Sequence, residues 1–318
     1  MSVTINTVDQ FGICRSATSR IEKEMRIIIT GASGLLGRAV YKTFNESSHQ
    51  VLGLARSRVR NGLKQIDLTN KEALESLIHE FKPDAIVHTA AERRPDVVEK
   101  NREVALELNV NVPDHLATLS KIHNFSLIYI STDYVFDGKN PPYDVDDKPN
   151  PLNSYGETKY RGELAVQNVS PKAIILRVPI LYGEVEYPDE SAVNVLVESV
   201  KNSSRKIEMD HYAIRYPTNV QDVARVIRDI LEKPNFPNSG VFHFSANENL
   251  TKYQMCEVFS RIVHIPIDHI KPIDSVPVSA ATKRPYDCHL SCEKLANLGI
   301  DVNCVSFEDW WKNYLSVS

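Results

Sequence analysis

Three glycines spaced three residues apart are the part of this chain best suited to hold a phosphate. Gly31, Gly34 and Gly37 follow a short apolar run, and apolar residues at helical spacing come after them. A strand, a tight turn and a helix start direct backbone N–H groups and the positive end of the helix dipole at one point. Glycine also lets a phosphate approach the backbone closely. The spacing is wider than G-x-G-x-x-G, but its position between strand and helix predicts a site for a nucleotide's pyrophosphate.

A phenol and an ammonium four residues apart offer a second kind of chemistry. Tyr155 and Lys159 lie at positions i and i+4, on one face of a predicted helix. An unperturbed tyrosine has a pKa of about 10, which a lysine ammonium and the charge of a nicotinamide would lower. Ser131 and Thr132 follow a predicted strand and supply a hydroxyl donor. The set predicts acid–base catalysis of hydride transfer at a carbonyl, unless the tyrosine and lysine lie on a solvated helix face.

The segment after the second predicted strand distinguishes between two dinucleotides. A chain that binds NAD places an acidic residue about 20 residues beyond the glycines, where it binds the ribose 2′-hydroxyl. Here that place holds Arg56 and Arg58 and no acid. A carboxylate would repel a 2′-phosphate, whereas a guanidinium binds phosphate through two hydrogen bonds. The segment predicts NADP(H) as the cofactor; the alternative is that both arginines are solvated loop charges.

Three further segments are candidates for contacts with the cofactor. Asp67 and Leu68 suit a short contact to the adenine, although Asp67 equally suits the turn before the next helix. Thr89 ends the third predicted strand, beside small residues that let the backbone approach a cofactor. Arg93 belongs to a charged string at 92–94 and could reach the cofactor's phosphates. The alternative for that string is a solvated charged turn.

The order of the elements places these residues at one edge of a sheet. From Met25 onward, short apolar runs alternate with helical patterns, which predicts a parallel sheet covered by helices on both faces. The predicted strands are 27–29, 51–55, 85–88, 127–130, 173–177 and 241–244. The predicted helices start at Leu35 and after Asn70, Asn219, Thr251 and Ser306, and cover 104–122, 155–166 and 191–200. The fold class is therefore α/β, a Rossmann-type doubly wound parallel sheet with a smaller C-terminal α/β lobe.

The predicted domain bounds follow from the change in this rhythm along the chain. Residues 25–182 are predicted to form the NADP-binding Rossmann domain, with a helix at 216–233 packing back onto it. Residues 183–215 and 234–318 are predicted to form the smaller lobe over the carboxyl ends of the strands. The mixed, polar residues 1–24 are predicted to be a flexible N-terminal arm.

Composition excludes several classes of protein. The net charge is −4 and basic residues are not massed anywhere, so neither nucleic acid nor a membrane surface is an expected partner. No apolar run approaches the roughly 18 residues that cross a bilayer. Five cysteines without a C-x-x-C pair indicate a reducing compartment, so we expect a cytoplasmic protein and leave a nuclear fraction open. Cys288, His289 and Cys292 lack a second ligand pair, so no metal is expected.

The glycine loop, the strand-end hydroxyls and the Tyr/Lys pair together resemble the extended short-chain dehydrogenases/reductases over residues 25–318. Within that superfamily, dTDP-4-dehydrorhamnose reductase is similar in the string Ser-Thr-Asp-Tyr-Val-Phe-Asp-Gly at 131–138, in Pro-Leu-Asn-Ser-Tyr-Gly-Glu-Thr-Lys at 151–159 and in Arg-Pro at 284–285. The resemblance implies that Thr132, Tyr155 and Lys159 match a catalytic triad.

Other distinctive strings point to a narrower family. They are Ala-Ala-Glu-Arg-Arg-Pro-Asp-Val-Val-Glu at 90–99, Val-Pro-Ile-Leu-Tyr-Gly-Glu-Val-Glu at 178–186, Met-Asp-His at 209–211 and Arg-Tyr-Pro-Thr at 215–218. These strings resemble the regulatory β subunits of methionine adenosyltransferase, the enzyme that makes S-adenosylmethionine. The resemblance implies a non-catalytic subunit that binds NADP(H), assembles with the catalytic subunit and modulates S-adenosylmethionine synthesis.

Carried over position by position, the resemblance implies cofactor contacts from the glycine loop and from the ends of several strands. With the glycines and the triad lysine included, the candidate cofactor-binding residues are Gly31, Ser33, Gly34, Leu35, Leu36, Gly37, Ala55, Arg56, Ser57, Asp67, Leu68, Thr89, Arg93, Tyr155, Lys159 and Leu181.

Hypotheses from different classes remain open. The triad favours a working NADPH-dependent reductase of a nucleotide sugar, whereas the distinctive strings favour a regulatory subunit in which the triad is silent. We take the regulatory subunit as the first hypothesis, because those strings lie outside the shared reductase core. An NADPH-binding redox sensor with another partner is a third hypothesis.

The last predicted helix leaves its own alternatives. The regulatory family docks on the catalytic subunit through a C-terminal tail, and the sequence ends sooner than in its mammalian members, which leaves the mode of docking open. Trp310, Trp311 and Tyr314 could anchor an interface, because aromatic side chains dominate binding energies. Alternatively, they pack the last helix onto its own lobe.

Overall fold

The computed structural model describes residues 3–8, 14–19, 24–60, 62–170, 172–275 and 282–317. In these ranges the strands are β1 (Val3–Val8), β2 (Cys14–Ser19), β3 (Arg26–Thr30), β4 (Gln50–Ala55), β5 (Lys64–Gln65), β6 (Ala85–His88), β7 (Ser126–Thr132), β8 (Ala173–Val178), β9 (Leu181–Tyr182), β10 (Ile207–Asp210), β11 (Thr218–Asn219), β12 (Gly240–His243) and β13 (Ile270–Ile273). The helices are α1 (Leu35–Asn45), α2 (Lys71–Phe81), α3 (Pro95–Lys100), α4 (Arg102–Leu106), α5 (Val112–His123), α6 (Ser154–Val169), α7 (Val195–Lys201), α8 (Val220–Glu232), α9 (Lys252–Val263), α10 (Glu293–Asn297) and α11 (Phe307–Val317).

A sheet of seven parallel strands forms the centre of the described chain, in the order β12-β8-β7-β6-β3-β4-β5. Strand β3 lies between β4 and β6, and its Ile27 is in register with Val51 on one side and Ala85 on the other. The chain therefore builds the sheet outward from β3 in one direction and then returns to continue from β6 in the other. A crevice opens at the carboxyl ends of the strands at such a reversal. The predicted doubly wound Rossmann-type sheet is confirmed.

The central strands are apolar because helices cover both faces of the sheet. On one face, α1 packs against α8, and Val40, Phe44 and Ile227 belong to one apolar cluster with residues of the strands. On the other face, the cluster includes Leu74 of α2 and Leu116 of α5. The packing of α8 on α1 agrees with the expected return of 216–233 to this domain, whereas the domain bounds themselves stay predictions.

Several helix starts follow the predicted capping residues. The Asn70 side chain accepts a hydrogen bond from the N–H of Ala73 at 3.0 Å, and the Asn219 side chain accepts one from Gln221 at 2.9 Å. Thr251 and Gln254 form the reciprocal capping box. These local signals confirm the predicted starts of α2, α8 and α9.

The predicted helix at 104–122 is wrong as a single regular element. A π-helical turn, Glu107–Asn111, separates α4 from α5. Asn109 is buried in this turn, and its side chain accepts a hydrogen bond from the N–H of Glu92 at 3.0 Å and donates one to the Glu92 carbonyl at 3.1 Å. The extra residue of a π turn thereby brings an amide to the loop at 92–94, a use typical of π turns near functional sites.

The smaller lobe has its own core. Strands β10 and β13 pair in parallel, and α7, α9 and α11 surround an apolar cluster that includes Met255 and Phe259. Trp311 is buried and its ring stacks on that of Tyr182, with the centroids 5.9 Å apart. Trp310 and Tyr314 are partly buried against the same cluster. Of the two alternatives for these aromatic residues, packing of the last helix on its own lobe is what the structure contains.

The structure differs from the predicted elements at the start of α7 and in the N-terminal arm. Helix α7 begins at Val195 rather than at 191, because the Ser191 hydroxyl accepts hydrogen bonds from the N–H groups of Val193 and Asn194 in a turn. In the predicted N-terminal arm, β1 and β2 pair in antiparallel fashion, and the sequence analysis did not predict these strands. The flexibility of the arm stays a prediction. Within the described ranges, no helix is both long and apolar enough to cross a membrane.

Candidate functional site

A cleft with a volume of about 530 Å³ lies at the carboxyl ends of the strands, where the sheet order reverses. Every residue predicted for the site lines it. They are Gly31, Ser33, Gly34, Leu35, Leu36, Gly37, Ala55, Arg56, Ser57, Asp67, Leu68, Thr89, Arg93, Thr132, Tyr155, Lys159 and Leu181. The structure thus brings together residues from the ends of β3, β4, β6, β7 and β9 and from the start of α6. Their roles in binding or catalysis stay predictions.

The glycine turn leaves no room for a side chain at Gly31 or Gly37. Gly31 has a φ of +67°, and a Cβ atom built on it would lie 2.8 Å from the backbone nitrogen of Ala90. A Cβ atom on Gly37 would lie 2.1 Å from the carbonyl oxygen of Gly31. Gly34 precedes α1 and offers no side-chain cap to its first N–H groups. The turn therefore holds the start of α1 against β3 and leaves the helix N-terminus suited to an anion.

Arg56 and Asp67 lie together on the rim of the cleft. The Nε atom of Arg56 is 3.4 Å from a carboxylate oxygen of Asp67, and the Arg56 side chain is 67% exposed. Asp67 also accepts hydrogen bonds from the backbone and the hydroxyl of Thr69, and these bonds hold the pKa of its carboxyl below the usual value. Asp67 thus begins the turn before α2 and also lines the cleft, whereas its contact with an adenine stays a prediction.

Arg58, the second arginine of that segment, is not a solvated loop charge. Its guanidinium lies 2.9 Å from a carboxylate oxygen of Glu186 and 3.1 Å from one of Glu190. Arg38 binds the same Glu190 carboxylate. Sequence reasoning missed Arg38 and Glu190, because no local pattern joins residues so far apart in the chain.

The side chains of the charged string at 92–94 have two kinds of partner: residues of the string itself and the segment that contains Glu190. Glu92 accepts hydrogen bonds from the Nε of Arg94 at 3.0 Å and from the Arg94 backbone at 3.1 Å. Arg93 instead donates to the carbonyl oxygen of Glu190 across the cleft. The string is therefore a turn held by its own charges, as the alternative had it, but one of its arginines also forms part of the cleft wall.

The triad-like residues meet at the end of β7 and the start of α6. The Thr132 hydroxyl donates a hydrogen bond to Asp133 at 3.0 Å and accepts one from the backbone N–H of Tyr134 at 3.2 Å. Lys159 is buried and donates from Nζ to the carbonyl oxygen of Ile130 at 2.7 Å. Tyr155 is half-buried above them. The arrangement presents a phenol and a hydroxyl to the cleft, with an ammonium beneath.

Burial decides the proton affinities of these groups. It raises the pKa of the Tyr155 phenol above the usual value, although the nearby Thr132 hydroxyl opposes the shift. It lowers the pKa of Lys159 to about 7, and the charge of Glu163 opposes that shift. The expected lowering of the Tyr155 pKa is therefore wrong for the protein's own groups, because desolvation of the phenolate outweighs the attraction of nearby cations.

A buried polar layer supports the triad from below. Glu163 pairs with Arg177 at 2.7 Å and accepts a hydrogen bond from Ser131, and all three side chains are buried. His243 lies 3.2 Å from the same guanidinium. Glu163 follows Lys159 by four residues on α6, and this spacing is the one signal in the sequence that could have revealed it.

Three cations gather at the end of the cleft beyond Tyr155. Arg215 is buried, Lys252 is half-buried and Arg284 is exposed, and all line the cleft. Burial lowers the pKa of Lys252 to about 8, and the charges of Arg284 and Arg215 lower it further. Burial raises the pKa of neighbouring Asp133 to about 7, against a hydrogen bond from Thr132 and the charge of Arg215. The sequence singled out Arg215 and Arg284 only as parts of motifs, and it gave no signal for Lys252.

Comparisons with known proteins now bear on this cleft and its fold. A family model described as the RmlD substrate binding domain matches residues 25–315. The proteins named methionine adenosyltransferase 2 subunit beta from Rattus norvegicus and Mus musculus are each 46% identical over 292 residues, or 91% of this chain and 87% of theirs. The chain belongs to the RmlD family and, within it, to the group of these β subunits. The resemblance drawn from the sequence strings is confirmed.

Solved structures with the same architecture support the fold. A dTDP-4-dehydrorhamnose reductase from Bacillus anthracis str. Ames in complex with NADP superposes with a TM-score of 0.81, at 26% identity, over 93% of this chain and 100% of that one. The Bordetella bronchiseptica enzyme WbmG in complex with NAD has a TM-score of 0.78 at 21% identity, a likeness of fold alone. The Bacillus anthracis reductase thus holds NADP on the same architecture as this chain. In the residues described here, no group of three His, Cys, Asp or Glu side chains could hold a metal.

Proposed function

We propose that the chain is a regulatory, non-catalytic β subunit of methionine adenosyltransferase, which binds NADP(H) and modulates S-adenosylmethionine synthesis by the catalytic subunit. The observation that carries the proposal is the 46% identity to proteins named as this subunit, which extends over 91% of the chain and hence over both lobes. A likeness confined to the Rossmann sheet would favour cofactor binding without a common partner.

The cleft fits a phosphorylated dinucleotide. A Cβ atom on Gly31 or Gly37 would clash with nearby backbone atoms, so glycine is required at both positions. Helix α1 begins at this turn without a side-chain cap. Arg56 lies largely exposed at the rim, where NAD-binding chains carry an acid. We assign the pyrophosphate to the glycine turn and the 2′-phosphate to the Arg56 side, because a guanidinium is a strong phosphate ligand. A bound nicotinamide would supply hydride chemistry beside Tyr155.

The proposed partner is tested by assembly and by kinetics. The full chain is mixed with the methionine adenosyltransferase catalytic subunit and passed over a size-exclusion column, and S-adenosylmethionine formation is measured with and without the chain. We expect co-elution and a changed KM or kcat of the catalytic subunit. Separate elution together with unchanged kinetics, for a chain that binds NADPH in calorimetry, would refute the regulatory proposal and leave the cofactor proposal standing.

A second candidate function is an NADPH-dependent reductase of a nucleotide sugar. Two observations favour it: Thr132, Tyr155 and Lys159 all line the cleft, and so do the cations Arg215 and Lys252, which suit a second phosphorylated compound. The test is NADPH oxidation in the presence of dTDP-4-keto sugars, compared between the wild type and Tyr155→Phe. Rapid turnover that Tyr155→Phe abolishes would favour the reductase over the regulatory subunit.

We further propose a cytoplasmic location and no partnership with nucleic acid. The thiols of Cys256, Cys288, Cys292 and Cys304 are unpaired, as in proteins of a reducing compartment. A net charge of −4 gives nucleic acid no electrostatic attraction. Fractionation of cells would test the location, and enrichment in a secretory fraction would contradict it.

A further inference from the structure

Glu190 has a carboxylate that is almost wholly buried among groups from other parts of the chain. It is 1% exposed, and its oxygens accept hydrogen bonds from Arg38 at 2.7 and 2.8 Å and from Arg58 at 3.1 Å. The backbone N–H of Glu186 donates to it at 3.0 Å. We call the four side chains of Arg38, Arg58, Glu186 and Glu190 the Glu190 cluster. Burial alone would raise the pKa of this carboxyl, but its donors hold the pKa below the usual value.

The Glu190 cluster, together with Arg93, holds the segment at 184–190 against the Rossmann domain. Arg38 belongs to α1 and also donates to the carbonyl oxygens of Ser33 and Glu184. Arg58 follows β4, and Arg93 follows β6 and donates to the Glu190 carbonyl. The segment at 184–190 is thereby held against the cleft. Since Tyr187 and Asp189 of this segment line the cleft, the cluster fixes one of its walls.

The two carboxylates of the cluster differ in exposure. The Glu190 side chain is 1% exposed, whereas that of Glu186 is 27% exposed and meets Arg58 at 2.9 Å from the solvent side. Arg58 is one-third exposed and lines the cleft two residues from Arg56. An ion pair at the surface is weak and exchangeable, whereas a buried carboxylate with several donors is not. Arg58 therefore has one permanent partner and one that an incoming anion could displace.

We propose that Glu190 is a positioning residue that holds Arg58 and the segment at 184–190 for a ribose 2′-phosphate, and that Glu186 competes with this phosphate for Arg58. The inference rests on the proposed binding of NADP(H) and names what determines its specificity. The phosphate carries more charge than a carboxylate, so it takes over the exposed hydrogen bonds of Arg58 while Glu190 retains the guanidinium. Arg58 joins Arg56 as a determinant of NADPH preference.

The two carboxylates then have opposite effects when each loses its charge. In Glu186→Gln, Arg58 loses its competitor, so the Kd for NADPH falls about threefold, the scale of an exposed ion pair, and the Kd for NADH is unchanged. In Glu190→Gln, Arg58 and the segment lose their anchor, so the Kd for NADPH rises by about tenfold or more, the scale of a broken buried pair. Glu184→Gln is the matched control, because only its backbone carbonyl contacts Arg38.

The experiment measures Kd values for NADPH and NADH by calorimetry on the full chain, and amide hydrogen exchange at 184–190 without nucleotide. We expect faster exchange in Glu190→Gln than in the wild type or in Glu184→Gln. A Glu186→Gln variant that matches Glu184→Gln in both Kd values overturns the competition. Because Glu190→Gln could unfold the chain, Arg58→Gln provides a second test: in that background Glu186→Gln no longer changes the Kd for NADPH. A wild type that binds neither nucleotide would instead refute the proposed cofactor.

Discussion

The Nζ atom of Lys159 lies 4.0 Å from the centre of the Tyr129 ring and donates a hydrogen bond to the Ile130 carbonyl oxygen at 2.7 Å. The ring and the carbonyl hold the amine in a place that water reaches poorly, and burial lowers its pKa to about 7. Lys159 is therefore a cation that the fold accommodates at a cost, beneath the phenol of Tyr155.

Lys159→Met should change how stability depends on pH. In the wild type, the pKa of Lys159 is about 7 in the folded chain and about 10.4 in the unfolded chain. Between about pH 7 and about pH 10.4 the unfolded chain therefore holds a proton on Lys159 that the folded chain has lost, so the free energy of unfolding rises with pH in this range. The wild type thus gains about 2 kcal/mol relative to Lys159→Met from pH 7 to pH 9. Urea denaturation of both proteins at the two pH values measures this difference. A difference that stays constant with pH would show that the amine is not desolvated.

Gly37→Ala should destabilise the chain and remove nucleotide binding. Its Cβ atom would meet the Gly31 carbonyl oxygen at 2.1 Å, both on backbone that cannot retreat without moving α1 from β3. We expect a loss of about 2 kcal/mol or more in the free energy of unfolding. Gly34→Ala, whose Cβ would lie 3.3 Å from the same oxygen, should cost at most about 1 kcal/mol. Equal losses in the two variants would contradict the proposed close packing.

Arg56→Ala should lower the affinity for NADPH and leave that for NADH unchanged. The Arg56 guanidinium is 67% exposed and has only a surface ion pair with Asp67, so it can bind a 2′-phosphate. Charge-assisted hydrogen bonds of this kind contribute about 1.5–3 kcal/mol, or roughly tenfold to a hundredfold in Kd. Calorimetry with both nucleotides measures the change. Arg60→Ala, in the same loop but outside the cleft lining, is the control. An unaltered preference for NADPH would place the 2′-phosphate elsewhere.

Asn109→Ala should loosen the loop at 92–94. The buried Asn109 amide is the hydrogen-bond partner of both the N–H and the carbonyl of Glu92, and its loss leaves these groups unsatisfied. We expect a cost of about 2–3 kcal/mol and faster hydrogen exchange at 92–94. Asn111→Ala, an exposed change in the same π turn, should cost no more than about 0.5 kcal/mol. Unchanged exchange in Asn109→Ala would mean that Arg93 and Arg94 hold the loop without it.

The parts of the fold that the sequence predicted are those whose structure is determined by neighbouring residues in the chain. The strands predicted at 85–88 and 173–177 are mostly apolar runs, and the starts of α2, α8 and α9 carry their own capping residues. The glycine spacing marks a turn whose geometry admits little else. Each of these signals lies within a few residues of the element it specifies.

The parts that could not be predicted depend on distant contacts. Arg38 and Arg58 are 152 and 132 residues from Glu190 in the sequence, and no local pattern near any of the three predicts that they pair. The π turn at Glu107–Asn111 lies within a helical pattern of apolar residues, and the residues that Asn109 contacts from this turn, Glu92 and Thr158, are distant in the chain. The short strands β9 and β11, two residues each, exist only because they pair with one another.

Strand β12 completes the sheet beside β8, yet it follows the first elements of the smaller lobe in the chain. A ribosome adding residues at roughly 5–20 per second needs roughly 3 to 12 seconds to pass from Val178 to Gly240. If β8 pairs with β7 before β12 is made, its other edge has unpaired backbone N–H and C=O groups during that interval, the kind of edge that recruits strands from other chains. Chaperones that bind nascent chains would therefore protect one defined strand, β8, during one defined interval of synthesis.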